Sequence, residues 1–242
     1  MGIWIGTSGY SYPEWRGSFY PEKFPTSKML PYYAERFPTV EINNTFYRMP
    51  NEKLVAEWAA VTPSPYQLTL KAPKAITHIA RLKDCADATA RFLAVANTLG
   101  PKLGTLLFQL PPFAKKDVGV LESFAATLPE GTRAAFEFRN PTWMSEDVFA
   151  VLRSRNLALC VADSEKFSTP AEITATYAYF RLRDEGYQPA DIEKWAGVIR
   201  DKTSHCSDVY VYFKHEEQGI GREFAKLLMG FLGVSSPAPV TS

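Results

Sequence analysis

Residues 39–47 read TVEINNTFY, and the alternation at their start decides the fold. Val40 and Ile42 are β-branched and apolar, as one packed face of a strand requires, while Glu41 and Asn43 put a carboxylate and an amide on the other face. Seven further short runs rich in β-branched and aromatic residues occur along the chain. They are IWIGTS from residue 3, YQLTLK from 66, GTLLFQ from 104, AAFEFR from 134, LALCVAD from 157, YAYFRLR from 177 and DVYVYFK from 208. Between most of them lie segments with the apolar spacing of amphipathic helices, such as NEKLVAEWAAV, DATARFLAVANTLG, SEDVFAVLRSR and REFAKLLMGFLG. Asn51, Asp117 and Ser145 stand where helix N-caps are expected, and Gly100 where a C-cap would fall. The link 164–176, SEKFSTPAEITAT, has room for only a turn or two of helix, so one unit is expected to be reduced.

Alternating strands and helices imply a parallel sheet covered by helices, arranged either as an open doubly wound sheet or as a closed barrel. Eight such units in roughly 250 residues is the barrel's number. The expected fold is therefore α/β, a single (β/α)8 TIM-type barrel over residues 1–234, followed by a loose Pro/Ser-rich tail at 235–242. In a barrel one strand face meets the helices and the other meets the axis, so Val40 and Ile42 face outward and Glu41 and Asn43 inward. The same parity turns Lys71, Gln109, Glu137, Arg139, Asp163, Arg181 and Lys214 toward the axis, with Arg183 left out as standing higher on its strand. All fall near the C-terminal ends of their strands, where barrel enzymes build their sites.

Composition narrows the function. At 242 residues, 46% hydrophobic and 14% aromatic, the chain can bury one large core, and a formal net charge of +1 argues against a protein whose main task is gripping nucleic acid. The three cysteines, Cys85, Cys160 and Cys206, form no CxxC pair and are expected to be reduced, as in a cytoplasmic protein. The start MGIWIGTSG fits neither a signal peptide nor a myristoylation signal, and no apolar run reaches membrane-spanning length.

The inward residues carry the functional expectation. Glu41, Glu137 and Asp163 stand against Lys71, Arg139, Arg181 and Lys214, which makes a modestly positive cup suited to an anionic small molecule. Glu41 and Glu137 are the expected acid/base pair, with Lys71 as a further catalytic group: either Lys71 or Lys214 can form a Schiff base if desolvated beside another cation. No organic cofactor is signalled. A divalent ion on Glu41, Glu137 and Asp163 would be Mg or Mn rather than Zn, since the site lacks well-placed histidine. His78 follows the third strand within reach of the mouth, His215 follows Lys214, and His205 reads as a surface residue. Gly219 and Gly221, at the loop after the eighth strand, are where a barrel often holds phosphate. The loop after the first strand, GYSYPEWRGSFYPEKFP, is crowded with aromatic rings, of which Trp15 and Tyr20 are the expected ligand neighbours. No serine nucleophile elbow, GxGxxG or P-loop is present.

GTSGYSYPEWRGSFYP, VEINNTFYRMP, LKAPKAITH, LLFQLPP, FEFRNPTW, YFRLR and VYVYFKHEEQG together resemble the DUF72 (YecE-like, UPF0759) family over Ile3 to about Leu232. The resemblance implies a TIM-like barrel and brings no established reaction. Many members read RxHG at the seventh strand and FNN at the eighth, where this chain has RLRDEG and FKHEEQG, so no His or Asn role is carried over there. Three functions compete: an enzyme acting on an anionic, phosphorylated small molecule; a nucleic-acid-binding or nuclease-like barrel, second because of the near-neutral charge; and a non-catalytic ligand-binding protein.

Overall fold

Eight parallel strands close on themselves in sequence order. In the computed structural model, which describes residues 1–164, 167–214 and 219–235, they are β1 (Gly2–Ser8), β2 (Thr39–Ile42), β3 (Gln67–Lys71), β4 (Leu103–Gln109), β5 (Ala134–Glu137), β6 (Ala158–Asp163), β7 (Tyr177–Leu182) and β8 (Asp208–Phe213). β8 returns to β1 with Gly2 opposite Asp208 and Thr7 opposite Phe213, so the sheet has no edge and the open arrangement is excluded. Gly6 marks where β1 and β2 come closest. A Cβ there would lie 2.2 Å from the Thr39 carbonyl oxygen, which only glycine avoids.

The helices are α1 (Met29–Ala34), α2 (Asn44–Tyr47), α3 (Glu52–Val61), α4 (Ala86–Asn97), α5 (Val118–Thr127), α6 (Glu146–Ser154), α7 (Pro189–Lys202) and α8 (Ile220–Leu232). Asn51 and Asp117 cap α3 and α5 by accepting from the Leu54 and Val120 amides at 2.8 and 3.1 Å. Ser145 holds the cap position of α6 but donates to Asp147 instead. Gly100 lies beyond the end of α4 in the left-handed region, at φ +55°. Between β6 and β7 no helix forms among the described residues, in keeping with a reduced unit there. Beyond Ser235 the expected tail falls outside the described residues.

The core has two compartments. Outside the sheet, Val40, Leu68, Leu70, Phe108, Phe136, Phe180 and Val211 pack against helix residues such as Phe92, Phe124, Val148, Ile192 and Leu228. Inside the barrel, the large rings of Tyr177, Tyr179, Tyr210 and Tyr212 on β7 and β8 meet the small side chains of Ala135, Ala158, Cys160 and Ala162 on β5 and β6. Small side chains beside large ones let the rings fill a narrow barrel. The tyrosine hydroxyls are satisfied within it: that of Tyr212 bonds both Thr39 Oγ1 and Thr69 Oγ1, at 2.7 and 2.8 Å.

The interior set corrects one expectation. Ala158, Cys160 and Ala162 are the axial residues of β6, which turns Asp163 outward, where its carboxylate accepts from Tyr187 at 2.8 Å and Ser168 at 2.6 Å. LALCVAD is apolar on both faces, so its parity cannot be read from polarity alone.

Candidate functional site

Above the tyrosine layer the strand ends converge on one hydrogen-bonded network. Arg181, at the end of β7 and 0% exposed, reaches across the axis. Its Nε donates to both oxygens of Glu41 on β2, at 3.1 and 3.0 Å, and its Nη2 donates to Glu41 Oε1 at 2.8 Å and to Ser8 Oγ at 3.0 Å. Its Nη1 donates to Glu137 Oε2 on β5 at 2.8 Å. Glu41 also accepts from Tyr179 at 2.5 Å and, closely, from the Ser8 hydroxyl. Glu137 accepts from Gln109 Nε2 at 2.8 Å, and Gln109 Oε1 in turn accepts from Lys71 Nζ at 2.8 Å. Six strands thus contribute to one chain of contacts: Ser8, Glu41, Arg181, Glu137, Gln109 and Lys71.

Electrostatics follow from this pairing. Burial would raise the carboxyl of Glu41, but Arg181, Ser8 and Tyr179 outweigh it and hold the group below its usual range. For Glu137 burial is likewise outweighed, by Arg181, Arg183, Gln109 and Lys71, and the carboxyl falls to about 2. Both glutamates are therefore fixed anions at neutral pH. Arg183, passed over as too high on its strand, places Nη1 3.4 Å from Glu137 Oε1. Lys71 behaves oppositely: burial and the neighbouring Arg181 lower its ammonium to about 7, against the pull of Glu137 and Glu41.

A cavity of about 280 Å³ opens over this network, bounded by Lys71, Arg181, Lys214 and Asn43 and by the rings of Tyr10, Tyr12, Phe46 and Tyr47. The second half of TVEINNTFY builds much of its wall. After β2 the chain turns at once into α2, Thr45 Oγ1 donates to the Lys71 carbonyl at 2.6 Å, and the Phe46 ring centre comes within 4.2 Å of Lys71 Nζ. Asn43 Nδ2 donates to Ser8 Oγ at 2.7 Å. Its amide orientation is dictated, since the one Ser8 hydroxyl hydrogen already goes to Glu41. Asn43 Oδ1 is buried with no hydrogen-bond partner among the described residues.

The remaining expected residues are distributed around this centre. Lys214 lines the cavity. Arg139 is half-buried, its guanidinium lowered by burial and held up by Glu137. His78 lies on the π-helical turn Ala75–Ile79 with its ring edge-on to Phe46, 4.8 Å between centres, and burial followed by Lys71 and Arg139 lowers its pKa. Asp163 lies on the outer side of its strand and Arg181 occupies the space between Glu41 and Glu137, so the expected three-carboxylate metal set is not assembled. Among the described residues no group of three His, Cys, Asp or Glu side chains could hold a metal ion.

Trp15 and Tyr20 are corrected as ligand neighbours. Each is 1% exposed, packed edge-on against Phe19, with Tyr20 also stacked on Phe24 and tied down by donating to the Tyr10 carbonyl at 2.6 Å. The loop rings that face the cavity are Tyr10 and Tyr12. Gly219, at φ +68°, begins α8, and its carbonyl accepts from the buried Arg222 at 2.8 Å. His215 lies outside the described residues. Ser8, Tyr179 and Phe46 were missed. The parity rule applied to IWIGTS places Ser8 inward, and applied two residues before Arg181 on the same strand it places Tyr179 inward.

The family described as "Protein of unknown function DUF72" matches residues 4–241. The chain is 25% identical to the UPF0759 protein YunF of Bacillus subtilis, over 96% of this chain and 95% of that protein. A DUF72 family protein from Thermotoga maritima, at 25% identity, superposes with a TM-score of 0.87 over 96% of this chain and all of the other. One from Enterococcus faecalis, at 17% identity, superposes at 0.83 over 99% of both and shares the fold. No helix among the described residues is long and apolar enough to cross a membrane. With the family match spanning almost every residue and the barrel closing as in its relatives, this chain belongs to the DUF72 family.

Proposed function

We propose that this chain is an enzyme acting on an anionic, phosphorylated small molecule in the cavity at the C-terminal mouth of its barrel. One observation carries the reading: the cavity wall presents the cations Lys71, Arg181 and Lys214, while Glu41 and Glu137 lie beneath it, engaged by Arg181. A ligand entering this space meets positive charge and aromatic surface, the complement of an anion on a compact carbon frame.

The acid/base role expected of Glu41 and Glu137 passes in this reading to Lys71. A carboxyl held near 2 carries no proton to give at neutral pH, whereas an ammonium lowered to about 7 exchanges one readily. The Glu41–Arg181–Glu137 unit then acts as a rigid charged floor that fixes Gln109 and, through it, Lys71 Nζ.

A thermal-shift screen against sugar phosphates, nucleotides, carboxylic acids and short single-stranded DNA tests this, run beside Lys214→Met. A ligand at a hundredfold excess over its Kd stabilises the folded state by about 2.7 kcal/mol. The expected result is a phosphorylated compound that stabilises the wild type and not the variant. Stabilisation by DNA alone, fading as salt rises, would overturn the reading in favour of nucleic-acid binding, for which the exposed Tyr47 beside the cavity offers a stacking ring.

A further inference from the structure

Lys71 differs from a structural lysine in what surrounds its nitrogen. Among the described residues Nζ donates to one acceptor, the amide oxygen of Gln109, and pairs with no carboxylate. The nearest carboxylate in the network, Glu137, is one residue removed and bonded to the far end of the same Gln109. Nζ sits over the Phe46 ring on the wall of the cavity, so it is desolvated yet open to a ligand. Desolvation beside another cation is the arrangement that turns an amine into a nucleophile.

A second observation concerns the neighbouring strand end, where the register of β2 and β3 brings Asn43 beside Lys71. Asn43 lines the same cavity, and its Oδ1, with the amide locked by Ser8, is buried with no hydrogen-bond partner among the described residues. A buried acceptor without a donor is costly unless a ligand supplies the hydrogen.

We propose that Lys71 forms an imine with an anionic aldehyde or ketone held in the mouth cavity, and that Asn43 Oδ1 accepts the hydroxyl hydrogen of the carbinolamine that precedes it. The inference deepens the anionic-substrate reading and rests on it. The Nζ lone pair adds to the carbonyl carbon, forming the C–N bond, and the carbonyl oxygen takes a proton to give the carbinolamine. The C–O bond then breaks and that oxygen leaves as water. Counted from the ammonium form, one water is released and the iminium keeps the single positive charge. Glu137, Glu41, Arg181 and Lys214, the charged groups that act on Lys71, therefore meet the same charge before and after.

The lowered amine supports the same chemistry: at pH 7 a lysine near 7 offers about a thousandfold more free amine than one at the ordinary 10.5. The probes are pyridoxal phosphate, glyoxylate and pyruvate, each trapped with borohydride and located by intact-mass and peptide analysis. Inorganic phosphate serves as competitor, and a thermal shift with phosphate alone serves as control. The expected result is one reduced adduct per chain on Lys71, formed at least about tenfold faster than on any other lysine, slowed by phosphate and absent from Lys71→Met. Asn43→Ala, which keeps the amine, should slow trapping while leaving the phosphate shift in place. If phosphate stabilises the protein but no probe favours Lys71, the imine is overturned and the anionic site stands. If phosphate neither stabilises nor protects and Lys71 is unreactive, both fall. Fast labelling of Lys71 that phosphate leaves unchanged would keep the nucleophile and remove the anionic half of the substrate.

Discussion

Replacing Arg181 by methionine tests the network at its centre. The variant keeps most of the side-chain length but removes the guanidinium that serves Glu41, Glu137 and Ser8 at once. The lowering of Glu137 from 4.5 to about 2, net of burial and shared by Arg181 with Arg183, Gln109 and Lys71, corresponds at 1.36 kcal/mol per pH unit to roughly 3 kcal/mol of stability. Breaking a buried pair by removing one partner costs about 3–5 kcal/mol, the same range reached independently. The pH dependence should also reverse. In the wild type the folded Glu137 binds its proton less readily than the unfolded chain does, so its contribution is complete above the unfolded value near 4.5 and disappears as pH falls toward about 2. Without Arg181, burial raises the Glu41 carboxyl above its unfolded value, so its contribution favours the folded state in acid and weakens as pH rises. Glu41 carries this reversal, since Arg181 is its sole ion-pair partner among the described residues while Glu137 retains Arg183. Urea unfolding followed by circular dichroism at about pH 5 and about pH 8 reads both effects. A loss below about 1 kcal/mol at the higher pH, the size of an exposed ion pair, or a pH trend matching the wild type, would refute the assigned pairing.

Two further variants probe the scaffold. Gly6→Ala forces a methyl group to within 2.2 Å of the Thr39 carbonyl and 3.0 Å of the Tyr33 hydroxyl, so a loss of at least about 1–3 kcal/mol in thermal unfolding is expected. A wild-type melt would show that β1 and β2 are not in the close register described. Tyr212→Phe leaves the buried Thr39 and Thr69 hydroxyls short of a partner and should cost about 1–3 kcal/mol in urea unfolding, while anion binding at the mouth, measured by calorimetry, stays unchanged. Loss of binding without loss of stability would mean that the tyrosine layer shapes the cavity directly.

The barrel was legible because the evidence for it is periodic. Polar and apolar residues alternate in VEIN, AAFEFR and YAYFRLR, and helices intervene at regular intervals, so both strand number and inward face follow from local pattern. Where a strand is apolar on both faces the same reasoning loses its footing, and Asp163 was turned the wrong way. The rings of the first loop show a different limit. Tyr10, Tyr12, Trp15 and Tyr20 are chemically alike, and which two face the cavity depends on how the loop packs against Phe19, Phe24 and Tyr32. Charge bookkeeping identified the convergence of Glu41, Glu137, Lys71 and Arg181 but not its geometry. That one guanidinium spans both carboxylates, leaving Lys71 as the group that titrates, is a matter of distances of about 3 Å that no local pattern encodes.

The tyrosine layer inside the barrel has a consequence for traffic. Tyr177, Tyr179, Tyr210 and Tyr212 are at most 1% exposed and interlock with the alanines opposite, so the axis is stoppered directly under the charged network. Among the described residues the cavity is closed on the side of the tyrosines, so in the proposed reaction a molecule entering over Lys71 would leave by the mouth, and any water released would pass it there. In the proposed reaction, product would then have to leave before the next substrate could enter, both passing the rings of Tyr10, Tyr12, Phe46 and Tyr47 that line the cavity.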